Sequence, residues 1–247
     1  MKKIIMITAA FSFAAITARA DWDPGDPYKM HFPQMPDPNG WDINIHDFTL
    51  ADDWQCSETG PVSDVHFWVS YQGDGPPNLN TITLSIHNDV PAGTDGVPYS
   101  RPGPPVWGIT TGEFTSRGPF IGDQGFAYDP GNPDQSQWVR PDHTQYWQIN
   151  VTNIQDAFIQ HEGNIYWLDV HAENDLMVGW KTTTDRWNDK AVFWDEPNSQ
   201  WLPIVDDPTN GEPIGMSFVI TPEPQSSALA ALGFGLLCLR RRRNAAR

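Results

Sequence analysis

Apolar and polar residues alternate along most of this chain, and that period of two constrains the fold more than any other feature. In "DVHFWVSY", Val65, Phe67, Val69 and Tyr71 fall on one face. Ile82, Leu84 and Ile86 do the same in "TITLSIH", as do Trp147, Ile149 and Val151 in "QYWQINV" and Ile214, Met216, Phe218 and Ile220 in "IGMSFVI". Successive strand residues point to opposite faces, so such runs, rich in β-branched and aromatic side chains, predict half-buried strands. The same reading places strands at 43–50, 105–110, 164–171, 176–181, 191–195 and 200–205. In "NIQDAFIQHEG" the period changes: Ile154, Phe158 and Ile159 share a helical face, which predicts one short helix.

Between these runs lie "DGPPN", "NDVPAGTDGVPYSRPGPP" and "YDPGNPDQSQ", which read as turns and long loops because Pro fixes φ and Gly frees it. Short strands joined by Pro/Gly-rich loops, without alternating amphipathic helices, give an all-β chain. The expected fold is a β-sandwich, jelly-roll-like in its connections.

The N-terminus stands outside that reading. Lys2 and Lys3 precede an apolar stretch from Ile4 to Ile16, and Ala18-Arg19-Ala20 forms a small-x-small cleavage site, so residues 1–20 read as a secretory signal peptide. Residues 21–221 then form one domain, with no Ser/Gly linker dividing them. They hold 7 Lys and Arg against 30 Asp and Glu, a formal charge of −23. A field of that sign opposes nucleic acid and anionic lipid, and suits calcium or a cationic partner. Cys56 is the sole cysteine of this region, which rules out an internal disulfide and reads as a small buried hydrophobe.

No catalytic signature stands out: HExxH, GxSxG, phosphate-loop and paired-cysteine patterns are all missing. His66, His87 and His171 occupy polar-facing strand positions, and convergence of the three would make a zinc site. Calcium is the other cation to weigh. "DWDPGDP" offers Asp21, Asp23 and Asp26, and "HNDVPAGTDG" offers Asn88, Asp89 and Asp95, oxygen donors in loops that could wrap a hard ion. Neither stretch has the closing Glu of an EF-hand, and Asx turns account for both equally well. All 12 tryptophans lie between Trp22 and Trp201, and core packing explains most of them, leaving two or three for a binding face. Trp180, Trp187, Trp194 and Trp201 recur every seven residues, but Gly179 and Pro197 exclude a coiled coil.

The chain ends with Pro222-Glu223-Pro224, an apolar run over 226–239 and a basic cluster, Arg240, Arg241, Arg242 and Arg243. Fourteen helical residues reach roughly 21 Å, less than the roughly 30 Å hydrocarbon core of a bilayer. In order and position the three parts resemble the PEP-CTERM sorting signal of Gram-negative bacteria. That resemblance implies export, recognition of the tail by an exosortase-type processing enzyme, membrane attachment only through the C-terminus, and association with exopolysaccharide. "LADDWQCSETGPVSDVHFWVSYQGD", "SIHNDVPAG", "YWLDV" and "GWKTT" resemble a secreted bacterial domain family of unknown function, which implies a β-sandwich and no known activity. The functional expectation is a non-catalytic cell-envelope or extracellular-matrix protein that contacts exopolysaccharide, without nucleic acid and without a required cofactor. The alternatives are a calcium-stabilised carbohydrate-binding module and a secreted hydrolase.

Overall fold

The computed structural model describes residues 21–132, 134 and 136–222, and the strands dominate it. In chain order they are β1 (Trp41–Asn44), β2 (Leu50–Gln55), β3 (Gly60–Pro61), β4 (Asp64–Tyr71), β5 (Thr81–Val90), β6 (Arg101–Thr111) and β7 (Thr115–Ala127). There follow β8 (Trp138–Val151), β9 (Ile159–Gln160), β10 (Ile165–Glu173), β11 (Val178–Lys181), β12 (Val192–Asp195), β13 (Gln200–Pro203) and β14 (Phe218–Thr221). Two six-stranded sheets result, ordered β11-β1-β7-β8-β4-β14 and β13-β12-β2-β10-β5-β6, with a two-stranded β3-β9 ribbon. The all-β sandwich expected from the period of two is what this chain forms.

The apolar faces read from the sequence meet between the sheets. Val65, Phe67 and Val69 from β4 and Ile82, Leu84 and Ile86 from β5 are fully buried in one core, with Trp54, Trp180 and Phe218. Trp54 and Trp180 each meet the Phe218 ring, at centroid separations of 6.1 and 6.0 Å. Such edge-to-face packing adds about 0.5–1.5 kcal/mol per pair beyond area burial. Trp68 points the other way from Phe67, and the first of the described residues cover it: Trp22 packs against it edge-on at 6.4 Å. The Gln148 side chain locks that cover by accepting from the Trp22 amide and donating 2.8 Å to its carbonyl.

Three local expectations change. The strand read at 43–50 divides, because Asn44 Oδ1 accepts from the amides of His46 and Asp47 and turns the chain between β1 and β2. No helix forms over 153–163. Asn153 and Asp156 adopt left-handed backbone at φ 57° and 51°, the Asn153 amide donates 2.8 Å to Asp64 Oδ1, and residues 159–160 pair with β3. β6 begins at Arg101, inside the Pro/Gly-rich stretch read as a loop, and the long β7 forms where the alternation predicts no strand.

The first sheet also closes on itself. β4 pairs with β8, β8 with β7, β7 in parallel with β1, β1 with β11, and β11 again with β4, giving a ring of five strands. Each strand sends one buried polar side chain inward: Asp42, Ser70, Gln124, His143 and Lys181. They meet within the ring, between the neighbours β11 and β1 and across strands that are not neighbours. Lys181 Nζ lies 3.1 Å from Asp42 Oδ2 and also donates to Gln124 Oε1, while His143 Nε2 stands 3.0 Å from Asp42 Oδ2. The Tyr146 ring centroid is 5.2 Å from Nζ.

Candidate functional site

An open cleft of about 690 Å³ lies on the second sheet, on the face turned away from the main core. Its floor is built from cross-strand neighbours. His87 ends the regular part of β5 and Asp169 lies on β10, with Trp167 directly opposite His87 and Ser85 opposite Asp169. One wall is the β5–β6 connection with the first residues of β6, from Val90 to Pro105, and the other is the β12-β13 hairpin. The loop folds tightly because Gly93, Asp95 and Gly96 take left-handed backbone at φ 86°, 54° and 78°. Tyr99 ties the walls together by donating its hydroxyl to the Trp201 carbonyl at 2.9 Å.

The lining combines flat aromatic surface with fixed polar groups, the chemistry a small-molecule cleft requires. Trp194 and Trp201 stand opposite each other in the hairpin with ring centroids 5.4 Å apart, and Trp201 meets the His87 ring edge-on at 5.8 Å. The seven-residue spacing of these two tryptophans is therefore the span of a hairpin. Trp180 lies in the main core and Trp187 stacks on His31 at 4.3 Å.

His87 Nε2 stands 2.8 Å from Asp169 Oδ2, and its Nδ1 stands 2.7 Å from the Gly103 carbonyl. A carbonyl can only accept, so Nδ1 carries a proton and Nε2 faces a carboxyl group. The other Asp169 oxygen accepts from the Ser85 amide at 2.9 Å. Asp95, the second carboxylate of the lining, pairs with Arg101 at 3.4 Å. Asp169 and both imidazole nitrogens are thus engaged, while Asp95 stays largely open to water. The arrangement orients hydrogen-bonding groups at the floor of the cleft.

Beside the cleft, under Ser100, stands a group of carboxylates that sequence reading did not foresee. Asn188 Nδ2 donates to Asp53 Oδ2 at 2.6 Å and to Asp189 Oδ2 at 3.0 Å, Ser100 donates to the same Asp189 oxygen, and Trp167 Nε1 donates to Asp89 Oδ1 at 2.9 Å. Burial, then the neighbouring Asp52, pushes the Asp53 carboxyl up to about 9. Burial also raises Asp52 and Asp89 above the usual carboxylate range. No sequence signal pointed here, because the acids come from three separate segments and meet only through the sheet.

The residues weighed as metal ligands are dispersed. Asp21 accepts from Asn150 at 3.1 Å, Asp23 pairs with Arg117, and Asp26 accepts from the Asp23 amide at 2.9 Å across a turn whose return bond runs from the Asp26 amide to the Asp23 carbonyl. Asn88 is exposed, Asp89 faces Trp167 and Asp95 faces Arg101. His66 lies in the first sheet, bonded to Asn150 and Thr221, whereas His87 and His171 lie in the second, so the three histidines do not converge. Among the described residues no three His, Cys, Asp or Glu side chains are grouped to hold a metal ion. Cys56 is buried, its Sγ donating to the Glu58 carbonyl, and burial pushes its thiol up.

Pro222 closes the described region. Ala18, Ala20, Glu223, Pro224 and Arg240 to Arg243 lie outside the described residues. Among those described, no helix is long and apolar enough to cross a membrane.

A family model described as a domain of unknown function, DUF7901, matches residues 30–221. No curated protein and no solved structure matches the chain.

Proposed function

This chain belongs to the DUF7901 family of unknown function, and we propose that it is an exported, non-catalytic cell-envelope or extracellular-matrix protein whose cleft contacts exopolysaccharide. The observation that carries this reading is the cleft itself: Tyr99, Trp194 and Trp201 beside the fixed His87–Asp169 pair. Sugar rings present an apolar C–H face and a rim of hydroxyls, and an aromatic wall beside oriented donors and acceptors answers both. The fixed hydrogen bonds of His87 and Asp169 support binding over hydrolysis.

Delivery rests on the tail. In this reading Pro222-Glu223-Pro224, the apolar run and Arg240 to Arg243 form a PEP-CTERM signal handled by an exosortase-type enzyme, with the arginines held on the cytoplasmic side. Membrane contact is then confined to the C-terminus.

Retention on a panel of immobilised bacterial polysaccharides, read alongside tryptophan fluorescence, tests the cleft. Retention of the native chain and its loss in Trp194→Ala support the reading, whereas no retention on any polymer overturns it. Replacing Arg240 to Arg243 with Ser tests delivery separately. Unchanged surface accumulation of that variant in the native cell would sink the sorting assignment and leave the cleft untouched.

A further inference from the structure

The interior of the five-stranded ring brings a primary amine, a carboxylate and a proton carrier together away from water. Lys181 and Asp42 are directly opposed on β11 and β1, both side chains are fully buried, and Nζ stands 3.1 Å from Oδ2. Stripping two such ions of water costs several kcal/mol each, and their attraction repays it only when the surrounding hydrogen bonds are complete. Here they are not: Gln124 Nε2 is buried without a hydrogen-bond partner. His143 stands on the same carboxylate oxygen at 3.0 Å through Nε2, and Asp142 holds its Nδ1 at 2.9 Å. From this geometry we propose that Lys181 and Asp42 condense into an isopeptide bond, a covalent rung between β11 and β1.

The step balances within the pair. One proton passes from the Lys181 ammonium to Asp42 Oδ2, leaving an amine beside a carboxylic acid. The amine lone pair attacks Cγ, forming the N–C bond. Collapse of the tetrahedral intermediate breaks Cγ–Oδ2, and the second proton lost by nitrogen reaches the departing oxygen through His143 Nε2. An ammonium and a carboxylate contain every atom of the amide and the water released, so nothing is oxidised or reduced and no co-reactant is consumed.

Three features favour the reaction. The fold holds Nζ 3.1 Å from Oδ2, which spares the reaction the entropy of bringing amine and carboxyl together. Burial pulls the Lys181 amine below the usual lysine range, enlarging its nucleophilic fraction, against the opposing pull of Asp42. His143 is held above its ordinary value: burial works to lower it, but its bonds to Asp42 and Asp142 prevail, so it can return a proton to the leaving oxygen. Condensation also replaces two buried charges with one neutral amide, and exclusion of water protects that amide from hydrolysis.

Peptide mapping of the folded full chain by tandem mass spectrometry decides the matter. The expected result is a branched peptide joining the segment containing Asp42 to the segment containing Lys181, lighter by one water than the two together, with no tryptic cleavage after Lys181. In freshly refolded chain, His143→Gln should slow its appearance at least tenfold. Because the wild-type map is informative alone, the test survives failure of a variant to fold. Separate peptides with free Lys181 and intact Asp42 overturn the proposal, and so does a branch from Lys181 to Gln124, which is lighter by ammonia.

Discussion

The Asp53 amide donates a 3.0 Å hydrogen bond to Asp52 Oδ1, and these adjacent residues of β2 place two fully buried carboxyl groups on opposite faces of the sheet. Asp52 turns inward and accepts from the Met216 amide, while Asp53 turns outward toward Asn188, Asp189 and Asp89. The pair spans the thickness of the sheet, one carboxyl in the main core and one beneath the cleft.

Asp53 therefore makes the fold favour acid. Its carboxyl rises from the ordinary value near 4 to about 9 in the folded chain. Between those values the folded state holds a proton that the unfolded chain releases, so stability falls as pH rises from about 4 to 9. Asp53→Asn keeps an oxygen for Asn188 and removes the ionisation. We expect it to add about 1–3 kcal/mol at pH 7 and flatten the slope of melting temperature against pH between 5 and 9. An unchanged slope would show that Asp53 ionises freely.

His31 pulls the opposite way at lower pH. It stacks on Trp187, accepts from the Gln55 amide through Nδ1 at 3.2 Å, and burial lowers it to about 4. Below the ordinary value of 6.5 the unfolded chain takes up a proton that the folded chain refuses, so this residue's contribution declines from pH 6.5 to about 4. Titration by nuclear magnetic resonance should find the His31 ring neutral at pH 5, and His31→Gln should soften the acid limb of the melting curve. A His31 midpoint near 6.5 would contradict this.

Phe218 ties the last strand to two core tryptophans, Trp54 and Trp180. Phe218→Ala should cost about 3–5 kcal/mol, measured by denaturant unfolding, because a cavity opens where neither indole can move in. A cost under about 1 kcal/mol would mean that β14 is peripheral to the core.

Gly122 shows the tightest backbone approach in β7: a methyl group there would lie 1.6 Å from the Pro38 carbonyl oxygen and 2.6 Å from its carbon. Main chain cannot yield as a flexible side chain does. Gly122→Ala should therefore abolish folding or lower stability by more than about 3 kcal/mol. Gly163→Ala has open space but a left-handed backbone at φ 84°, and it should cost only about 1 kcal/mol.

The hydroxyl of Tyr99 links the cleft's walls, so Tyr99→Phe removes one hydrogen bond without removing aromatic surface. We expect a loss near 1 kcal/mol in stability and faster proteolysis within 91–105. Equal proteolysis rates would show that the loop is anchored elsewhere.

Period two made β4, β5, β10 and the end of β8 legible, because each turns alternate apolar residues to the main core and pairs on both sides, although β4 and the end of β8 are buried on both faces rather than half-buried. β7 escaped because Gly118, Pro119, Gly122 and Gly125 interrupt its alternation, although Gly122 and Gly125 serve close approaches to Pro38 and Trp41. The helix over 153–163 failed for a different reason. Its apolar spacing was real, but Asn153 and Asp156 tolerate the left-handed backbone that ends a helix before it starts. Pairing partners were beyond reach altogether. His87 and Asp169 are 82 residues apart, and the parallel placement of β1 beside β7 has no local signature. The cleft's aromatics were visible as unusual tryptophans, but their arrangement was not.

The closed ring sets a condition on the growing chain. Asp42 is made early, yet Gln124, His143 and Lys181 follow it by 82, 101 and 139 residues. Until β11 has been synthesised, the ring stays open and Asp42 has no ammonium to face. Any chain that stops short of residue 178 must leave that carboxylate in water and two sheet edges bare. Such fragments present the unpaired backbone edges of β1 and β4 that the finished ring hides.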